Sequence, residues 1–104
     1  MGMIKTKNEI KLIKKSAQIS NSCIKVIKES LKENITEKEL RKRIGKKIRS
    51  QGASLAFQTL VASGERSAMI HPKPYAANKI ISGLGYADFG ASYKGYKTDV
   101  TVPS

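Results

Sequence analysis

Gly85-Tyr86-Ala87-Asp88-Phe89-Gly90-Ala91-Ser92-Tyr93-Lys94-Gly95-Tyr96-Lys97-Thr98-Asp99-Val100-Thr101 decides how the chain is read. The stretch has the pattern of two short strands joined at Tyr93-Lys94. Side chains alternate along a strand, and opposed residues share a face. With Ser92 set against Gly95, Asp88 falls opposite Asp99. One face then carries Tyr86, Asp88, Lys97, Asp99 and Thr101. The other carries Ala87, Phe89, Ala91, Tyr96, Thr98 and Val100, which suits a core. Opposed like charges are destabilising, so a positive group is expected between the carboxylates. A pair of divalent metal ions is the sharpest candidate. Lys97 or another lysine is the alternative.

Upstream, residues 7–32 read as one amphipathic helix. Ile10, Ile13, Ala17, Ser20, Ile24, Ile27 and Leu31 recur at spacings of three and four, and Leu12, Ile19, Cys23 and Val26 widen the stripe. Thr36 and Glu39 form a capping box, with Ile35 and Leu40 as its hydrophobic staple. Leu40, Ile44 and Ile48 continue that second helix, and Gly52 is its expected stop. Arg41, Lys42, Arg43, Lys46, Lys47 and Arg49 give it a basic surface, either solvated or suited to a polyanion. Ala56–Ala62 has the texture of a strand closed by Ser63-Gly64. Residues 65–75 hold Pro72 and Pro74 and read as an irregular loop. Helices followed by strands make an α+β domain, two helices covering one face of a small, mainly antiparallel sheet.

The 104 residues bound one small domain, with a basic helical part over 7–52 and a sheet part over 53–104. The net charge is +12. Residues 1–50 hold 15 basic and 5 acidic side chains, whereas 51–104 hold 5 and 3, so the excess sits on the helices. Such a charge attracts polyanions non-specifically. Cys23 stands alone, so no intrachain disulfide forms, in keeping with a reducing cytoplasm. No apolar run is long enough for a membrane span.

In this order and spacing the motifs resemble the first half of the catalytic domain of the pita-bread metallopeptidases. That family includes the methionine aminopeptidases and the Xaa-Pro aminopeptidases and dipeptidases. The resemblance runs from Lys7-Asn8-Glu9-Ile10 through Thr36-Glu37-Lys38-Glu39-Leu40 and Phe57–Gly64 to His71-Pro72-Lys73-Pro74. It closes on Asp88-Phe89-Gly90-Ala91 and Asp99-Val100-Thr101, whose aspartates stand eleven positions apart, as in the family. It implies half of a pita-bread fold, with Asp88 chelating one metal ion and Asp99 bridging two. His71 would line the substrate pocket, unless it is an ordinary loop histidine. The implied cofactors are divalent ions: cobalt, manganese, zinc or iron. The implied reaction is removal of N-terminal residues, Met or Xaa-Pro, through water activated by two ions.

The chain also departs from the pattern. It has no histidine after His71 and no glutamate after Glu65, where the family draws further ligands. Two carboxylates are too few for a divalent ion, which takes four or more ligands. The expectation is therefore a truncated relative, inactive by itself, that needs a homodimer mate or a second-half partner chain. A second reading is a non-catalytic module whose basic helices bind RNA, the ribosome or an acidic protein.

Overall fold

A computed structural model describes residues 6–69, 72–83 and 85–103. Helix α1 (Lys7–Ser30) is capped by Thr6, whose side chain accepts from the Glu9 amide. Helix α2 (Glu37–Ser50) follows. Then come strands β1 (Ser54–Leu55) and β2 (Leu60–Ser63), a 3-10 helix (Gly64–Ala68), and strands β3 (Gly85–Phe89), β4 (Ala91–Tyr93), β5 (Tyr96–Lys97) and β6 (Val100–Pro103). The strands form two antiparallel three-stranded sheets, β1-β4-β5 and β2-β3-β6. The α+β architecture expected from the sequence is the one observed.

The α2 start is closed on every side. Thr36 Oγ1 accepts from the Glu39 amide at 3.1 Å. The Glu37 and Lys38 amides donate to the carbonyls of Lys79 and Ala77 at 2.9 and 3.2 Å, so these first amides, which have no partner within the helix, are satisfied. Only half of the capping box forms. The Glu39 carboxylate turns to Arg43 Nε, 3.3 Å away, rather than back to the Thr36 amide. Ile35 and Leu40, the staple pair, are both buried in the core. Gly52 takes the left-handed conformation expected of a helix stop, φ +80°.

On α1 the buried stripe differs from the one expected. Ser16, Ile19, Ser20, Cys23, Ile27 and Ser30 are buried, while Ile10, Ile13 and Leu31 are exposed and the helix ends at Ser30. The small residues decide this. Serines let the helix approach the hairpin, where Ser20 Oγ lies 3.3 Å from Thr98 Oγ1. Ile19, Cys23 and Ile27 then meet Leu40, Ile44 and Ile48 of α2 and Val61, Ala87, Phe89 and Ala91 of the strands in one core. The strand expected over Ala56–Ala62 is shorter, beginning at Leu60.

The long hairpin crosses from one sheet to the other. Strands β3 and β6 belong to one sheet and β4 and β5 to the other, with Gly90 at the crossing. Here the Ala91 amide donates to the Thr98 hydroxyl at 3.2 Å, while the Gly90 carbonyl accepts from the Ala56 amide at 2.9 Å. A Cβ on Gly90 would stand 2.2 Å from the Thr98 carbonyl oxygen and 2.4 Å from the Phe57 ring. Only glycine lets the two strands and that ring approach so closely.

Candidate metal-binding hairpin

The hairpin turns at Lys94-Gly95, one residue later than expected. Tyr93 pairs with Tyr96 and Ser92 with Lys97. Lys94 and Gly95 both have positive φ, 50° and 89°, as a two-residue type I′ turn requires. The register therefore moves by two. Asp88 opposes Thr101, not Asp99, and Phe89 opposes Val100. Carried through the crossing, the same register sets Asp99 across from Gly90. Because the shift is even, no side chain changes face. Ala87, Phe89 and Ala91 are buried as expected, and Asp88 and Asp99 remain on the opposite face as diagonal neighbours.

The two carboxyl groups act on each other. Partial burial, followed by the charge of Asp99, pushes the Asp88 carboxyl above the ordinary carboxylate range. Thr101 Oγ1 donates to Asp88 Oδ1 at 3.2 Å and pulls the other way. Among the described residues, neither Lys97 nor another lysine stands within ion-pair distance of Asp88 or Asp99. Among the described residues, the three ion pairs involve Arg43 with Glu33 and Glu39, and Arg66 with Glu37. Two adjacent carboxylates without a countercharge fit a cation, and hard divalent ions favour such oxygen donors. They supply only part of a coordination shell. Among the described residues no group of three or more His, Cys, Asp or Glu could hold a metal ion. His71 lies outside the described residues.

The loop that runs into His71 is anchored by a pair that the sequence reading missed. Glu37 is wholly buried. Its Oε1 accepts from Arg66 Nε at 2.8 Å and from the Ala77 amide at 2.9 Å. Its Oε2 accepts from the Ser63 amide and hydroxyl, both at 2.9 Å. Arg66 also donates to the carbonyls of Val61 and Pro74. One carboxylate thus joins the first turn of α2, the end of β2, the 3-10 helix and the 74–77 segment. A glutamate directly after an N-cap reads as an exposed partner of the helix dipole, and no local signal marks it as a core residue.

This fold agrees with the relationships of the chain. The model of metallopeptidase family M24 matches residues 11–102, and the chain belongs to that family. An uncharacterised peptidase of Methanocaldococcus jannaschii is 39% identical over 97% of the chain and 29% of its own length. The Xaa-Pro dipeptidase of Pyrococcus furiosus is 35% identical over 95% of the chain and 29% of its own length. Among solved structures, prolidase from Pyrococcus furiosus superposes with a TM-score of 0.82 at 34% identity, over 98% of this chain and 32% of that one. X-Pro aminopeptidase from Thermotoga maritima gives 0.73 at 34% identity, over 97% and 29%. The chain therefore corresponds to a pita-bread N-terminal half and spans about three-tenths of the length of these relatives. Among the described residues, no helix is long and apolar enough to cross a membrane.

Proposed function

We propose that this chain furnishes the first carboxylate pair of a divalent-metal peptidase acting on peptides of the Xaa-Pro type. In this reading Asp88 and Asp99 hold the ions, which supply an activated water and polarise a peptide carbonyl when bound. His71 borders the substrate. The remaining ligands come from outside these residues, by way of a second copy of the chain or a partner chain. Cytoplasmic placement accords with the lone Cys23. The observation that carries the reading is the juxtaposition of Asp88 and Asp99 on one hairpin face without a countercharge. The similarity to an Xaa-Pro dipeptidase, a prolidase and an X-Pro aminopeptidase favours Xaa-Pro over Met as substrate.

Calorimetric titration with manganese, cobalt and zinc tests the site. Wild type is expected to bind at least one of these ions weakly, and Asp88→Ala and Asp99→Ala to lose the binding. Metal uptake that survives both substitutions would remove the site. Assays on Xaa-Pro and Met-Xaa dipeptides, with and without a second-half chain, then test the reaction. Turnover of Xaa-Pro only when both halves are present is the expected result. Failure to turn over any dipeptide with metal and second half supplied would remove the peptidase reading.

A further inference from the structure

Away from the hairpin, α2 borders an open groove of about 570 Å³ facing the Leu55–Thr59 segment. Lys38, Arg41, Lys42 and Arg49 line it. None of the four has a carboxylate within ion-pair distance among the described residues. The one acidic side chain in the lining, Glu39, is held by Arg43. The first α2 amides are taken by Ala77, Lys79 and Thr36, so a free helix end does not make the positive character. Arg49 lies over Gly45, its guanidinium 3.1 Å from where a Cβ would stand.

The four cations draw an anion to the groove.

We propose that the groove binds a linear run of phosphates. The cations at positions 38, 41, 42 and 49 extend along about 16 Å of helix axis, which suits several successive charges better than one compact anion. Among the described residues no aromatic side chain lines the groove, so they offer no platform for stacking bases. Recognition is by the phosphates alone. This binding does not involve Asp88, Asp99 or a metal ion.

Fluorescence anisotropy of the intact chain with a labelled ten-residue oligouridylate, and with an inorganic polyphosphate of similar length, tests the proposal. Binding of either probe with the following pattern supports it, and the tighter of the two identifies the source of the phosphates. With about three phosphate contacts, affinity for the oligouridylate falls about 20-fold between 50 and 200 mM salt. Arg41→Ala with Arg49→Ala lowers the magnitude of the log–log salt slope by about 1.4. Lys14→Ala with Lys25→Ala, an equal charge loss on α1, leaves the slope nearly unchanged. If the α1 pair lowers the slope as much as the groove pair does, only the diffuse charge of the protein is at work and the proposal fails. Should the double arginine variant melt early, Lys42→Gln carries the same slope test.

Discussion

Arg66 Nε lies 2.8 Å from Glu37 Oε1, and the carboxylate it meets is shielded from solvent altogether. The pair joins the second helix to the loop that leads to His71. Breaking a buried pair from one side leaves an uncompensated charge in the core. Glu37→Gln and Arg66→Met are each expected to destabilise the fold by about 3–5 kcal/mol in urea unfolding. The double variant is expected to lose less than the sum of the two. Additive losses would mean that the pair does not act as a unit.

Asp88 and Asp99 repel one another until a cation arrives. Asp99→Asn is therefore expected to stabilise the metal-free chain by about 0.2–1 kcal/mol, the range of cross-strand charge effects. Divalent metal should raise the melting temperature of wild type and leave that of Asp99→Asn unmoved. A metal-induced rise of equal size in both proteins would place the ion elsewhere.

Lys94 holds a positive φ that favours glycine or asparagine, while Gly95 beside it suits the turn. Lys94→Asn is expected to raise the melting temperature by a few degrees. Gly90→Ala should do the opposite. Its Cβ meets backbone and a ring at the sheet crossing, and overpacking of this kind costs about 1–3 kcal/mol. A neutral Gly90→Ala would mean that the hairpin crosses the sheets more loosely than described.

Burial pushes the Cys23 thiol up from 9.0 to about 11, with Lys47 pulling weakly the other way. At pH 8 a disulfide reagent is expected to label Cys23 rapidly only after unfolding. The unfolded chain ionises near 9, two units before the folded chain does. This thiol therefore leaves stability unaffected below pH 9 and lowers it between pH 9 and 11. Cys23→Val should remove that part of the decline. An identical decline in the variant would mean that Cys23 is not its cause.

The parts of the fold legible in advance are those governed by local rules. Thr36 and Glu39 marked the α2 start, Gly52 its stop, and alternation marked Ala87, Phe89 and Ala91 as inward. The α1 stripe agrees with the buried face at Ile19, Ser20, Cys23 and Ile27 and departs from it at Ile10, Ile13 and Leu31, because periodicity weights large apolar residues, whereas Ser16 and Ser30 complete the packed face. The hairpin register was misjudged by two residues because turn type, not strand pattern, sets it, and Gly95 was the available signal. The basic cluster on α2 read as one surface. In the fold Arg43 is tied to Glu33 and Glu39, whereas Arg41, Lys42 and Arg49 face the groove.

By itself, the sequence determined the α+β class, the family resemblance, and that Asp88 and Asp99 share a face. That last point follows from a side-chain period of two, which an even slip in register preserves. The tertiary structure alone decided that the aspartates are diagonal rather than opposed, that Glu37 is a core residue, and that the α2 cations face the Leu55–Thr59 segment across a groove. Each of these depends on segments far apart in the chain meeting in space. No pattern within one segment specifies what the other will bring.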